Sequence, residues 1–92
     1  MSIVTELEQV VLDRKATPRQ GSYTCYLFAE GLEEIAKKVG EEAIEVIVAA
    51  TSQDDGRLAA ESADLIYHLL VLLAERGVPW AAVEAELARR RK

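Results

Sequence analysis

Apolar residues recur along this chain at helical spacing, and no segment shows the strict alternation that is typical of a β-strand. The first stretch places its apolar residues at the i, i+4, i+7 and i+8 positions: Ile3, Leu7, Val10 and Val11. This spacing predicts an amphipathic helix from about Ser2 to Lys15. The segment Thr17–Gly21 combines proline, glycine and polar residues, and therefore predicts the first loop.

Four further helices are predicted beyond this loop. Ser22 or Thr24 can cap a short helix that ends near Gly31. The other three have these predicted bounds: Leu32 to Ser52, about Arg57 to Arg76, and Trp80 to about Arg90. The polar residues 53–56 form a turn between the two long helices. Gly77 fits a helix C-terminus, and Pro79 fits the first turn of the last helix. We therefore expect an all-α bundle of about five helices around two long antiparallel core helices.

The apolar share of the chain suggests that the bundle is not complete in one copy. Hydrophobic residues make up 50% of the 92 residues, and a short chain buries a small fraction of its surface. The segment Leu65–Ala74 offers apolar side chains on nearly every side of its helix. One neighbouring helix and two short helices cannot cover all of these faces. We therefore expect a single all-α domain, residues 1–92, that is completed by homodimerisation.

Charge and cysteine content exclude several classes of partner. The net charge of -5 argues against a nucleic-acid partner, because phosphate backbones are bound through clustered Lys and Arg. A single cysteine, Cys25, cannot form an intramolecular disulfide and suits a reducing cytosol. No signal peptide is recognisable, and the longest uncharged run is too short to span a bilayer. The sequence predicts a soluble cytoplasmic protein without a membrane partner.

Two groups of carboxylates carry the candidate chemistry. Glu41, Glu42 and Glu45 lie on the first long helix, and Glu61 and Asp64 lie on the second. Residues three or four apart share a helix face, so each helix presents two carboxylates side by side. Because a short turn joins the helices, the pairs lie at matching heights and can face each other. The two pairs are therefore candidates for one shared site.

Converging carboxylates beside an apolar core require compensation. Their repulsion and lost hydration cost several kcal/mol per ion, unless their pKa values rise or a cation neutralises them. An oxygen-only ligand set favours Mg²⁺, or Mn²⁺, over zinc. An isolated ExxE pair is more commonly a solvated helix surface. A ferritin-like di-iron site is the weaker rival, because it needs Glu-x-x-His pairs, whereas the only histidine, His68, follows Asp64 by four residues.

Several segments together resemble the phosphoribosyl-ATP pyrophosphatase family of histidine biosynthesis. They are Gly21-Ser22-Tyr23-Thr24, Lys37-Lys38-Val39-Gly40-Glu41-Glu42-Ala43-x-Glu45, Glu61-x-Ala63-Asp64-Leu65-x-Tyr67-His68-Leu69-Leu70-Val71-Leu72-Leu73, Gly77 and Leu87-x-x-Arg90. The wider superfamily, all-α nucleoside triphosphate pyrophosphatases similar to MazG, shares only the ExxE and ExxD pairs. The resemblance covers essentially the whole chain. The chain lacks the cyclohydrolase domain that is fused to this enzyme in some relatives, so we expect the pyrophosphohydrolase domain to stand alone.

The resemblance implies a reaction and a ligand set. Phosphoribosyl-ATP and water would give phosphoribosyl-AMP and pyrophosphate, the second step of histidine biosynthesis. Four carboxylates would hold Mg²⁺: Glu42, Glu45, Glu61 and Asp64. Glu41 or one of these ligands would orient or deprotonate the attacking water. The general base, the number of metal ions, the phosphorus attacked and the dimer geometry stay open.

Nine further residues are candidate contacts to phosphoribosyl-ATP. They are Arg14, Lys15, Ser22, Tyr23, Thr24, Lys37, Lys38, Tyr67 and His68. Each also has an ordinary structural interpretation: an exposed helix lysine, a helix cap, or an aromatic residue packed between helices. Two other functions are open at this stage. A house-cleaning pyrophosphatase for noncanonical nucleotides would share the metal site, and a noncatalytic helical dimerisation module would be indifferent to Mg²⁺.

Overall fold

Five α-helices account for the regular structure of the described part of the chain. A computed structural model describes residues 2–91, and it contains no strand within them. The helices are α1 (Ile3–Ala16), α2 (Tyr23–Glu30), α3 (Leu32–Ser52), α4 (Asp55–Glu75) and α5 (Trp80–Arg90). The predicted all-α fold is confirmed, and the bounds of α3 and α5 are those predicted. Among residues 2–91, no helix combines the length and hydropathy that are needed to cross a membrane.

The long helices α3 and α4 form an antiparallel hairpin and share the largest helix–helix interface of the molecule. α1 packs on α4 and α2, while α2 contacts both long helices. A common core lies where these four helices meet, and six side chains are buried in it: Val11, Leu27, Ile35, Leu70, Val71 and Ala74. The last helix is tied on at its first residue, Trp80. Trp80 packs against the core and donates its backbone N–H to Glu8 Oε2 at 2.7 Å.

Short-range capping explains where the helices begin and end. The Ser22 hydroxyl accepts the Cys25 N–H at 3.2 Å and so caps α2, as expected for a serine before a helix. At the end of α4, Gly77 adopts a left-handed conformation with φ 71°. The N–H groups of Gly77 and Val78 then bond the carbonyls of Ala74 and Leu73, which is the Schellman arrangement. The predicted C-terminal cap at Gly77 is confirmed.

One predicted boundary is wrong. The polar segment 53–56 is not a turn throughout, because α4 begins at Asp55 rather than Arg57. The reason is local: Asp54 Oδ1 accepts the Arg57 N–H at 2.8 Å, so Asp54 acts as the N-cap. Asp55 and Gly56 therefore form the first turn of α4, and only two residues separate the long helices.

The surplus apolar surface lies elsewhere than predicted. Within Leu65–Ala74, Ile66 is the one large apolar side chain that is exposed, because α1, α2 and α3 surround α4. The exposed apolar residues cluster instead on α3. Ile44 and Ile47 are 60% and 61% exposed, and Val48 beside them is 39% exposed. The single copy thus covers α4 and leaves one face of α3 uncovered.

Candidate functional site

Three carboxylates from the two long helices converge at one place. Glu42 on α3, and Glu61 and Asp64 on α4, each offer an oxygen atom within 4.8 Å of the others. The hairpin produces this arrangement, since Glu61 and Asp64 lie one turn apart on one face and α3 runs antiparallel beside them. The predicted meeting of the two acidic pairs is thus present for three of its four members.

Burial makes the cluster electrostatically demanding. Glu61 is only 7% exposed, and Asp64 at the rim is exposed. Glu61 Oε1 accepts a hydrogen bond from Arg57 Nη2 at 2.5 Å, and more than half of that arginine side chain is exposed. Sequence reasoning did not identify Arg57 as a site residue. An available signal was its i, i+4 spacing to Glu61, which allows an ion pair on one helix face.

The donor set fits a hard divalent cation. Ligand oxygens around one octahedral Mg²⁺ lie at about 2.0–2.1 Å from the ion, so neighbouring ligands are separated by roughly 3–4 Å. The oxygen atoms of Glu42, Glu61 and Asp64, which lie within 4.8 Å of one another, need only a small inward adjustment. Carboxylates without thiolate or imidazole ligands suit Mg²⁺ or Mn²⁺. The three residues are therefore able to hold such an ion.

Two of the predicted glutamates lie outside the cluster. Glu45 is exposed and is not part of the cluster, although its i, i+3 spacing to Glu42 is the same as that between Glu61 and Asp64. Glu41 is also exposed and forms an ion pair with Lys38 at 3.3 Å. This carboxylate raises the pKa of Lys38 through its hydrogen bond and its charge. Lys38 thus remains a cation on the face of α3 that leads to Glu42.

His68 links α4 to α2. The ring is 5% exposed, and its Nδ1 lies 2.8 Å from the backbone carbonyl of Asp64. A carbonyl only accepts, so Nδ1 carries the proton. In the neutral ring, Nε2 then accepts the hydroxyl proton of Tyr23 at 3.0 Å. The pKa of Tyr23 is raised, chiefly by burial, so this phenol remains a donor at neutral pH.

The other predicted aromatic contact joins the same two helices. The Tyr67 hydroxyl lies 2.5 Å from Thr24 Oγ1, and the Tyr67 ring packs edge-on against His68 with centroids 4.8 Å apart. Burial raises the pKa of Tyr67. Tyr23, Thr24, Tyr67 and His68 thus form one hydrogen-bonded and stacked group next to Asp64. The structure brings these four predicted residues together, while Ser22 beside them caps α2.

Of the three remaining basic candidates, two make contacts with other groups and one lies on a different side of α3 from Glu42. Arg14 forms an ion pair with Asp13 at 2.9 Å. Lys15 donates to the Ala74 carbonyl at 2.7 Å, and so ties α1 to the end of α4. Lys37 is exposed and lies five residues before Glu42, about 140° around the helix axis from it. Substrate contacts by these residues stay a prediction.

A cleft of about 600 Å³ opens beside Tyr23, in the loop between α1 and α2. Its lining includes Arg19, Gly21, Tyr26 and Ala29. The sequence analysis treated Gly21 as a family marker and Tyr23 as a candidate substrate contact, and it singled out neither Arg19 nor Tyr26 as a site residue. The spacing of Tyr23 and Tyr26 was the available signal, because residues three apart on a helix share one face.

Comparison with known proteins gives a consistent result. The sequence model of the phosphoribosyl-ATP pyrophosphohydrolase family matches residues 4–91. The phosphoribosyl-ATP pyrophosphatase of Lactiplantibacillus plantarum is 56% identical over 90 residues, covering 98% of this chain and 85% of that protein. The enzyme of the same name from Listeria monocytogenes serovar 1/2a is 52% identical over 88 residues, covering 96% and 84%. The histidine biosynthesis bifunctional protein HisIE of Bacillus subtilis is 56% identical over 77 residues, covering 84% of this chain and 37% of that protein.

Proposed function

The chain belongs to the phosphoribosyl-ATP pyrophosphohydrolase family, and we propose that Glu42, Glu61 and Asp64 form the metal centre of its reaction. The chain hydrolyses phosphoribosyl-ATP to phosphoribosyl-AMP and pyrophosphate, as a step of histidine biosynthesis. The oxygen of water bonds to one phosphorus of the anhydride between the α- and β-phosphates, the bridging P–O bond at that phosphorus breaks, and a proton is released. We propose that one domain, residues 1–92, carries this activity in the cytoplasm.

The observation that carries the metal proposal is the convergence of three carboxylates within 4.8 Å across two helices. Mg²⁺ is the proposed ion and Mn²⁺ its substitute. When held by these carboxylates, it would supply positive charge that stabilises the negative charge developing on the substrate phosphates. Glu45 is the proposed fourth ligand. Its exposed side chain lies one helix turn from Glu42 and can reach the same side by a change of rotamer.

Residues around the carboxylates bind phosphate and water in this proposal. Lys38 and Arg57 are the cations nearest in sequence to the ligands on their own helices, and both side chains are partly exposed. We propose that both contact the triphosphate. Glu41, which is paired with Lys38, or one of the ligand carboxylates orients the attacking water and takes its proton. Tyr23 and His68 hold α2 against this region through their hydrogen bond.

We also propose that a second copy of the chain covers the exposed face of α3. Ile44, Ile47 and Val48 lie at i, i+3 and i+4, and so form one apolar strip on the side away from the core. Leaving such a strip in water costs about 25 cal/mol for each Å² of apolar surface. A two-fold axis through this face would pair the strip with itself. The proposed functional unit is therefore a homodimer without a nucleic-acid partner.

Pyrophosphate release from phosphoribosyl-ATP, with and without added Mg²⁺, tests the proposed function. Wild type should release pyrophosphate only with the metal, and Glu42→Gln should be inactive. Glu33→Gln is the matched control, because Glu33 is an exposed glutamate on α3 outside the cluster. Activity without any divalent metal, or faster hydrolysis of a noncanonical nucleoside triphosphate, would contradict the proposal.

A further inference from the structure

The lining of the cleft between α1 and α2 includes Tyr23, which bonds His68, and contains none of the three clustered carboxylates. The cleft volume of about 600 Å³ lies within the range of small-molecule sites, which is roughly 300–1,000 Å³. The wall on one side is the loop at Arg19 and Gly21, and on the other it is the first two turns of α2. Gly21 has φ 82°, and a Cβ built there would meet nothing within 4 Å, so the loop leaves this wall open.

Two tyrosines with nearly parallel rings line this cleft. The Tyr23 and Tyr26 rings are stacked with centroids 6.0 Å apart and planes at 23°. They are 46% and 48% exposed, so much of this aromatic surface is in contact with water. Burial in the core does not explain why two large rings stand at this position. Planar rings with an open face are the surfaces on which nucleobases stack.

Tyr23 connects the cleft to the metal site. Its ring lines the cleft, while its hydroxyl donates to His68 Nε2 at 3.0 Å. The same imidazole bonds the backbone carbonyl of Asp64 at 2.8 Å through Nδ1. One hydrogen-bonded ring therefore separates the cleft from a residue of the carboxylate cluster. A single imidazole thus contacts both a residue of the cleft and a residue of the carboxylate cluster.

The cleft and the carboxylate cluster differ in charge. The cluster is acidic, whereas Arg19 brings a largely exposed guanidinium to the cleft. Arg19 lies 3.6 Å from Asp13, which is a loose ion pair at an exposed position. Such an arginine can leave its partner at little cost and take a phosphate in its place.

We propose that this cleft is the nucleoside subsite of the enzyme, with the adenine ring stacked on Tyr26 beside Tyr23 and the phosphoribosyl phosphate bound by Arg19. The proposal rests on the proposed function, because it assigns the two ends of phosphoribosyl-ATP to two regions. The triphosphate lies at the carboxylates, and the remainder of the molecule lies in the cleft. Tyr26 and Arg19 are then specificity-determining residues for the substrate.

Equilibrium binding of AMP without divalent metal tests the stacking surface apart from catalysis. Tyr26→Ala should weaken AMP binding roughly tenfold, the size of effect typical when a stacking ring is removed. Tyr26→Phe keeps the ring and should restore wild-type binding. Tyr26→Leu keeps apolar bulk without a ring and should bind as weakly as the alanine variant. Leu12→Ala, which truncates an exposed apolar residue outside the cleft, is the control.

Steady-state kinetics with phosphoribosyl-ATP test both residues in the reaction. Tyr26→Ala and Arg19→Gln should each raise KM roughly tenfold and leave kcat within about twofold. Arg19→Gln should leave AMP binding unchanged, because AMP lacks the phosphoribosyl phosphate. Suppose that wild type hydrolyses phosphoribosyl-ATP, and that both variants have the wild-type KM and the wild-type affinity for AMP. The proposed subsite is then overturned, and the proposed function stands. If wild type does not hydrolyse phosphoribosyl-ATP but Tyr26→Ala still weakens AMP binding, the proposed function is overturned and nucleotide stacking on Tyr26 stands.

Discussion

The two long helices have equal length and opposite surroundings. Each has 21 residues, and they lie antiparallel in one hairpin. α4 buries five residues: Glu61, His68, Leu70, Val71 and Ala74. α3 buries only Ile35 and Ala49. The reason is position, because α1, α2 and α3 all pack on α4, whereas the main contacts of α3 are with α4 and α2.

This difference assigns distinct tasks to the two helices. On α4, even polar groups are withdrawn from water, so Glu61 and His68 each require a partner and find it in Arg57 and Tyr23. On α3, charged groups stay hydrated on one side, and Ile44 and Ile47 are left exposed on another. We infer that α4 organises the site within one copy and that α3 supplies both the approach for phosphate and the contact between copies.

The largest expected effect comes from the buried carboxylate. Glu61→Gln should lower kcat roughly 10²–10³-fold, comparable to the loss of a preorganised charge-stabilising group. Without metal, its thermal stability should equal or exceed that of wild type, because one charge of a repelling cluster is removed. Added Mg²⁺ should stabilise wild type more than the variant in a thermal melt.

A graded series locates the ligands on both helices. Glu42→Gln and Asp64→Asn should match Glu61→Gln, and Glu45→Gln on exposed α3 should lose less activity. Near-normal turnover in two of these four variants would contradict the site. Circular dichroism of each variant checks that the helices are intact.

The next effect concerns the exposed face of α3. Wild type should scatter light as a species of about twice the 10.1 kDa chain mass at micromolar concentration. Ile47→Asp places a charge in the apolar strip and should shift the protein to one chain mass with a lower melting temperature. Leu87→Asp on α5 changes an equally exposed residue and should leave the dimer intact. A stable, folded wild-type monomer rules out the proposed interface.

A smaller effect is expected from the cation beside Glu61. Arg57→Gln removes a positive charge that competes with a divalent ion for this carboxylate, so Mg²⁺ binding to the apoprotein should tighten. The gain should be up to about fivefold, because more than half of the arginine side chain is exposed and water screens its charge, as in ion pairs that contribute about 0.2–1 kcal/mol. Calorimetric titration with Mg²⁺ measures it, and Arg76→Gln at the far end of α4 is the control. Weaker Mg²⁺ binding by Arg57→Gln would show that the arginine positions Glu61 instead.

The smallest effect is a change of stability with pH at Tyr67. Tyr67→Phe removes the hydrogen bond to Thr24 and should cost about 1 kcal/mol at neutral pH. Burial raises the pKa of Tyr67 above that of the unfolded chain. Its contribution is therefore fully present below about pH 10 and is lost as pH rises through the folded-state pKa. Urea melts from pH 7 to 11 should show the difference between wild type and variant shrinking; a constant difference would contradict this account.

Much of the candidate site could be predicted from the spacing of residues along each helix. The i, i+3 relation of Glu61 and Asp64, and the short connection to α3, are sufficient to predict that the acidic pairs meet. His68 follows Asp64 by one turn, so its place beside the cluster was also predictable. Glu45 shows the limit of this reasoning, because the same i, i+3 spacing brings Asp64 into the cluster and leaves Glu45 outside it. The cleft at Tyr26 was not predicted, since its second wall is a loop whose path depends on packing.

The sequence by itself determined the five helices, most of their ends and the sharing of faces along each one. These features depend on side-chain periodicity, on caps such as Ser22 and Asp54, and on the left-handed residue Gly77, all of which act within a few residues. Only the tertiary structure decided which helix is surrounded. The apolar side chains on nearly every side of Leu65–Ala74 led us to expect an uncovered face on α4. In the structure α1 and α2 fold over this segment, and the exposed apolar face lies on α3 instead. That outcome depends on which faces meet across long sequence separations, and local periodicity carries no information about it.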